Sequence, residues 1–219
     1  MKKQKICIIG DGLAGLTAAL VLSKLDVEID FIFKNQKVKK FKDSRTTAIS
    51  ESNHSFLSSH LSHSDLKIFY SCKNIDLYHE KLGRYYHFMN FKDEGKYLLH
   101  IVENQKLKKI FFKNIKKQKN IKIINGEVTK IDVEKSTISI KNKNLYYDLI
   151  ALCLGRQSNI VSQFVGKRFI EDDVKEISFT SLVKHNSNIS DPKQYFLKEG
   201  PLAILPIKKK YVFFCLEYE

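Results

Sequence analysis

The sequence predicts an α/β protein in which a parallel βαβ unit is interleaved with an antiparallel sheet. Three observations predict it. A short apolar run at residues 6–9 feeds a glycine-rich turn and then an apolar helical pattern, in the stretch KICIIGDGLAGLTAALVLSK (5–24). Later strand-like runs are of two kinds: continuously apolar ones that suit parallel strands covered on both faces, and alternating ones that suit antiparallel sheets. The chain has 219 residues, 43% of them hydrophobic, enough to bury a core as one large domain or one and a half.

Taken in order, residues 6–9 read as a buried strand, 13–25 as a helix with little polar surface, and 27–33 (VEIDFIF) as a second strand. A Lys-rich loop follows to about residue 43, and a Ser-rich helix is expected over about 50–64. Between 73 and 99 the pieces NIDLYHE and GRYYHFMNF alternate, as antiparallel strands do. Residues 102–120 form an amphipathic helix with Leu107, Ile110, Phe111 and Ile115 on one face. Four strands follow at 121–124, 127–133, 136–141 and 146–153; the middle pair is a hairpin-like excursion, and the last is expected to be covered on both faces. After Gly166 a second antiparallel pattern runs to YVFFCLEYE. It stops inside a strand pattern, so a sheet edge needing a partner is expected there.

The formal net charge is +14, carried almost wholly by Lys, with Arg only at 45, 84, 156 and 168. Arg is the residue suited to bidentate recognition of phosphates and base edges, and the Lys runs at 34–42, 113–122 and 207–210 belong to no nucleic-acid module. A solvated Lys-rich surface is the reading, with no nucleic-acid partner; peripheral contact with an anionic membrane is the alternative the charge leaves open. Cys7, Cys72, Cys153 and Cys215 have no C-x-x-C spacing and read as small buried hydrophobes in a reducing, cytoplasmic setting. No apolar run reaches the length of a membrane span, and the basic start MKKQKICIIG reads as a strand rather than a signal peptide.

The turn G-D-G-L-A-G carries the first chemistry. Gly10 permits the tight turn, Gly12 lets backbone approach a pyrophosphate, and Gly15 lets helix and strand pack closely. The backbone from Asp11 through Leu13 and Ala14 then presents N–H groups at a helix start, where the dipole favours phosphate. Strand, turn, helix and second strand together make a Rossmann-like dinucleotide site. A carboxylate for the ribose is expected at the end of the second strand. Phe33 and Lys34 stand there instead, while Glu28 and Asp30 come too early. Lys34 would suit a 2′-phosphate, so the turn predicts a dinucleotide without choosing among FAD, NAD and NADP.

Other constellations are weaker. HLSH (60–63) puts His60 and His63 at helical i, i+3 spacing, but no third ligand is placed, and an exposed polar face is the reading, with no metal expected. Tyr78, Tyr85 and Tyr86 lie in the antiparallel strands, as sheet packing or as the wall of an aromatic pocket. No Ser–His–Asp order or reactive-cysteine context exists, so the catalytic residues stay unassigned.

Four segments choose among the dinucleotides. DSRTTAIS (43–50) resembles the D-x-R-x-x-A-x-S segment of the ubiquinone-biosynthesis hydroxylases (2-polyprenylphenol and 2-octaprenyl-6-methoxyphenol hydroxylases), a branch of the FAD-dependent aromatic monooxygenases. LHIVENQKLKKIFF (99–112) is similar to that family's V-E-N helix start. YYDLIALCLGRQSNIV (146–161) resembles its second strand motif, and YFLKEGPLAILPI (195–207) its G-P-L-A-x-L-P segment. The resemblance implies an FAD-binding domain over 1–72 and 101–165, interleaved with a partial antiparallel substrate domain over 73–100 and 166–219. It also implies FAD as cofactor, NAD(P)H as co-substrate, and oxygen-dependent hydroxylation of a polyprenyl-phenol ring. Residue by residue, it puts Gly10, Gly12 and Gly15 at the diphosphate and Arg45 at the flavin side. Val128 falls beside the adenine, and Gly155 at the second approach of chain to cofactor.

The family pattern is also broken in places. Leu154 stands where the family has Asp, Val161 and Gln105 where it has Arg, and its late G-D-A motif does not occur in these residues. Three expectations follow: one part of a split hydroxylase completed by a C-terminal chain, a truncated flavin-binding remnant without catalytic activity, or a nicotinamide-dependent reductase using the βαβ unit alone. The expected location is the cytoplasm or the inner face of its membrane.

Overall fold

The structure, a computed structural model, describes residues 3–34, 43, 45–141, 143–155, 160, 177–208 and 210–218. In chain order the first elements are β1 (Gln4–Ile9), α1 (Leu13–Leu22), β2 (Val27–Phe33), β3 (Thr46–Ser50), α2 (Glu51–Ser58) and α3 (His63–Leu66). There follow β4 (Tyr70–Cys72), β5 (Asn74–Lys81), β6 (Arg84–Lys92), β7 (Leu99–Glu103) and α4 (Asn104–Ile115). Next come β8 (Ile121–Asn125), β9 (Val128–Asp132), β10 (Thr137–Ile140), β11 (Lys143–Tyr146) and β12 (Leu149–Leu152). The last are β13 (Ile177–Lys184), β14 (Lys193–Leu197), β15 (Gly200–Lys208) and β16 (Tyr211–Tyr218). The chain forms two compact units, Met1–Phe41 with Lys108–Glu171 and Lys42–Leu107 with Asp172–Glu219. The division falls within α4, whose apolar stripe of Leu107, Phe111 and Ile115 is buried.

The first unit holds a four-stranded parallel sheet in the order β12-β1-β2-β8. Cys7, Ile8, Phe31 and Ile32 are fully buried, as continuous apolar strands of a parallel sheet require. α1 ends at Ser23, whose hydroxyl donates to the Leu20 carbonyl at 2.7 Å, leaving Lys24 and Leu25 outside the expected 13–25 helix. Asn120 then ties the α1–β2 turn to the start of β8, donating to the carbonyls of Ser23 (3.1 Å) and Val27 (3.0 Å). A three-stranded antiparallel sheet, β11-β10-β9, adds Val128, Ile138 and Ile140 to a core shared with Cys7, Ile9 and Ile32.

The expected single strand at 146–153 is two. Tyr147 turns into the core and its hydroxyl donates to Asp30 Oδ2 at 2.7 Å, while Asp148 accepts from the Lys5 N–H at 2.7 Å. β11 therefore closes the antiparallel sheet and β12 the parallel one. β12 is an edge strand, with Leu149 53% and Leu152 41% exposed, so it is not covered on both faces as its apolar run predicted.

The second unit holds a six-stranded sheet in the order β13-β16-β15-β14-β5-β6, antiparallel except for β14 beside β5. Pro206 cannot donate to a ladder, and the register of β15 on β16 shifts between Pro206 and Lys208. β16, expected to lie at an open edge, is interior, and the edges are β13 and β6. A three-stranded sheet, β3-β7-β4, completes the unit. Residues 99–103 pair as β7, so the helix expected from 102 begins at Asn104. The helix expected over 50–64 is also two, because Ser62 caps a new start at His63. His60 and His63 therefore share no helix face. Among the described residues no helix is long and apolar enough to cross a membrane.

Candidate dinucleotide site

The turn after β1 stands at the C-terminal edge of the parallel sheet, the edge where such sheets bind ligands. Gly10 has φ +119° and donates to the Ile32 carbonyl at 2.9 Å. A Cβ there would fall 2.2 Å from the Cys153 carbonyl oxygen, and one on Gly15 would fall 2.0 Å from the Gly10 oxygen. Backbone lies against both positions, so glycine is demanded by packing. Gly12 differs: a Cβ there would meet nothing within 4 Å.

The start of α1 is likewise open. Gly12 offers no side-chain cap and the first turn has no acidic residue, whereas Ser50 and Ser62 cap α2 and α3. The first intrahelical bond runs from Leu16 N–H to the Gly12 carbonyl at 3.0 Å, leaving the preceding N–H groups of Leu13, Ala14 and Gly15 without helical acceptors. An uncapped N-terminus beside unfilled space suits the diphosphate of a dinucleotide in shape and in charge.

Two charged pairs border the turn, and sequence reasoning missed one member of each. Lys108 on α4 puts Nζ 3.6 Å from Asp11 Oδ2, offsetting a carboxylate that would otherwise repel phosphate. It lies one turn beyond Gln105, which has no cation to offer. At the end of β2, Lys34 Nζ pairs with Glu127 Oε2 at 2.5 Å. Gly126 donates to the Phe33 carbonyl at 3.0 Å and so holds the β8–β9 junction beside β2. The carboxylate absent from the end of β2 is thus present beside it, on Glu127. The signal was the G-E-V triplet, read only for Val128.

Asp30, too early in β2 for a ribose, is instead buried, accepting from Tyr147 with Lys5 Nζ at 3.2 Å. Val128 opens β9 with its side chain in the core. Cys153 N–H donates to the Ile9 carbonyl at 2.9 Å, Leu154 packs on the apolar cluster around Ile9 and Val128, and Gly155 is exposed just beyond. Gly10 to Gly15, Lys34, Val128 and Gly155 thus belong to one unit, at or beyond the C-terminal ends of its strands or at the β8–β9 junction. Arg45 belongs to the other, where its Nε and Nη2 donate to the two carboxylate oxygens of Asp43, both at 2.9 Å. Val161 and Arg156 lie outside the described residues. A depression of about 470 Å³, lined by Lys3, Lys5, Glu28, Asp30 and Lys122, opens at the N-terminal ends of the same strands, away from the turn.

The family model described as Glucose inhibited division protein A matches residues 5–151. No curated protein sequence matches. Among solved structures, P. aeruginosa PqsL in complex with 2-aminobenzoylacetate is similar over 99% of this chain and 61% of its own, at 9% identity and a TM-score of 0.80. CtdE in complex with FAD is similar over 100% of this chain and 60% of its own, at 14% identity and a TM-score of 0.72. The tetrameric form of 2-methyl-3-hydroxypyridine-5-carboxylic acid oxygenase is similar over 100% of this chain and 59% of its own, at 14% identity and a TM-score of 0.73. The shared property is the fold, a Rossmann-type parallel sheet with antiparallel sheets, as the sequence predicted. The chain spans about three-fifths of the length of these solved chains.

Proposed function

The chain belongs to the family described as Glucose inhibited division protein A, and on that premise we propose that it binds FAD at the β1–α1 turn, as the nucleotide-binding part of a flavin-dependent aromatic hydroxylase. The observation that carries this reading is the contrast within the turn: Gly10 and Gly15 are closed by backbone, while Gly12 faces open space at an uncapped helix start. Leu13 and Ala14 N–H groups hold the diphosphate, with Lys108 balancing Asp11. Glu127, aligned by Lys34, accepts from the adenosine ribose hydroxyls. The Val128 backbone lies by the adenine, and Gly155 lets the chain pass close to the cofactor. Reduced by NAD(P)H, bound FAD supplies the oxygen chemistry that hydroxylates an electron-rich ring.

The four segments shared with ubiquinone-biosynthesis hydroxylases support a polyprenyl-phenol as that ring. The oxygenase among the similar folds supports the reaction type. Turnover belongs to an assembly in which a complementing C-terminal chain supplies the remaining length of the fold, with Lys-rich surface holding it at an anionic membrane. One observation favours a second reading, a flavin-binding remnant without turnover. Leu154, at the family's Asp position, is packed into the apolar cluster and offers the cofactor no polar contact.

The visible spectrum of the purified chain, with nucleotide released by denaturation, tests the binding reading. A flavin spectrum with near-stoichiometric FAD is expected. A colourless protein that takes up no added FAD overturns it, and a nicotinamide nucleotide in its place supports the reductase reading. NAD(P)H oxidation coupled to ring hydroxylation, with the complementing chain present, separates hydroxylase from remnant.

A further inference from the structure

The second unit gathers a group of side chains that the glycine turn does not use. Glu51 and His54 stand three residues apart on α2 and so share one face of the helix. β7 brings His100 against them, with Nε2 2.7 Å from Glu51 Oε2 and its ring stacked on that of His54, centroids 3.7 Å apart and planes at 9°. Ligand atoms of all three lie within 4.8 Å of one another. His100 is 1% exposed, while His54 and Glu51 are only partly buried, so the group is anchored from inside and reached from outside.

We propose that Glu51, His54 and His100 bind a borderline divalent cation of the Zn(II) class, with solvent completing a tetrahedral shell. Two imidazoles and a carboxylate are the donor set that suits such an ion, in preference to the oxygen cages of Ca(II) and Mg(II). The outer contacts are already in place. Ser71 Oγ lies 2.8 Å from His100 Nδ1, placed to accept that nitrogen's proton once an ion takes the Nε2 lone pair. At 2.7 Å from Glu51 Oε2, Nε2 shares a proton with the carboxylate, and an ion bound by both would take that proton's place. Ser55 donates to the other carboxylate oxygen of Glu51 at 3.2 Å, fixing its orientation.

The stack brings the two rings together. Two parallel imidazoles at 3.7 Å cannot both carry charge without repulsion, and as neutral ligands they need not. The Phe69 ring meets that of His54 at 85°, centroids 4.8 Å apart, and steadies it. With Zn–N distances of about 2.0–2.1 Å, donors in a tetrahedral shell sit roughly 3.3 Å apart. Imidazole lone pairs lie in the ring planes, so binding requires the partly exposed His54 ring to tilt out of the stack toward Glu51 and His100.

Isothermal titration of the 219-residue chain with Zn(II), and with Co(II) followed by its visible absorption, tests the site. One equivalent is expected to bind, with the intense visible band of tetrahedral Co(II). Glu51→Gln and His54→Gln are each expected to weaken binding at least tenfold, while His63→Gln, at an exposed position on α3, leaves it unchanged. Because His100 is fully buried its replacement threatens the fold, so these partly exposed positions carry the test, each variant first matched to the parent by circular dichroism. Absence of one-equivalent binding, or binding that survives both substitutions, overturns the proposal and leaves a proton shared between Glu51 and His100 as the occupant.

Discussion

The two units treat their apolar residues in opposite ways. The parallel sheet of the first buries Cys7, Ile8, Phe31 and Ile32 completely, and what it leaves open is backbone, at Gly12. The six-stranded sheet of the second leaves side chains open: Tyr85 on β6 is 59% exposed and Phe179 on β13 is 62% exposed. Its strands are held by cross-strand ring contacts, such as Tyr78 stacked on Tyr195 at 4.7 Å and His79 on Tyr86 at 5.4 Å, each worth about 0.2–1 kcal/mol. In the first unit, stability and the candidate site share atoms. In the second, stability is spread over many small terms, and single surface changes are absorbed.

The largest expected effect breaks the first unit at its turn. Gly15→Ala drives a Cβ to 2.0 Å from the Gly10 oxygen, and Gly10→Ala one to 2.2 Å from the Cys153 oxygen at φ +119°. Backbone cannot step aside as a flexible side chain can. Each is expected to cost about 3 kcal/mol or more and to abolish FAD uptake. Gly12→Ala, with open space around its Cβ, is expected to cost about 1 kcal/mol or less but to weaken FAD at least tenfold. Phe88→Ser on the exposed face of β6 is expected to stay within about 1 kcal/mol. Urea unfolding with FAD fluorescence titration reads all four. Equal destabilisation by Gly12→Ala and Gly15→Ala would remove the division between packing glycine and cradle glycine.

The same contrast explains what could be read in the sequence. The βαβ unit was legible because its signals are local: two apolar runs, the G-x-G-x-x-G spacing, and a second strand at 27–33 with the bounds observed. Distant partners set what was not legible. Residues 146–153 form one apolar run, yet Tyr147 breaks it to reach Asp30, 117 positions away. Residues 99–103 look like the approach to a helix until β3 and β4 pair with them. Glu127 takes its place through the bond from Gly126 to Phe33. In HLSH the spacing of His60 and His63 drew attention, but Ser62 restarts the helix between them. The histidines that do meet, His54 and His100, come from a helix and a strand far apart in the chain.

A smaller effect sharpens the comparison from the core of the first unit. Tyr147 is wholly buried and its hydroxyl donates to buried Asp30, with Lys5 as the second partner. Burial, then the bond to Asp30, holds the Tyr147 hydroxyl protonated well above its ordinary range, so it acts as a fixed donor. Tyr147→Phe leaves the carboxylate short of one partner and is expected to cost about 1–3 kcal/mol. Hydrogen exchange locates the loss: amides of residues 121–152 are expected to lose protection, while those of β5 and β6 keep theirs. Equal loss in both would mean that the units unfold as one, and the contrast between them would be of composition alone.

The smallest effect concerns a property the units share. Each hides one thiol, Cys7 in β1 and Cys72 in β4, and burial pushes both from 9.0 up to about 12. Cys153 and Cys215 are only partly buried. Alkylation at mildly alkaline pH is therefore expected to modify Cys153 and Cys215 first, with Cys7 and Cys72 reacting only through unfolding. Linkage fixes the sign of the pH effect. Between about pH 9 and 12 the unfolded chain has released thiol protons that the folded chain retains, so stability falls as pH rises through that window and is fully present below it. Each thiol contributes a slope of at most about 1.4 kcal/mol per pH unit, and Cys7→Ala is expected to remove its share. Mass mapping of the alkylated sites follows the two units separately. If Cys7 were modified as fast as Cys215, the parallel sheet would be opening as readily as the antiparallel one, and complete burial would not be what distinguishes the first unit.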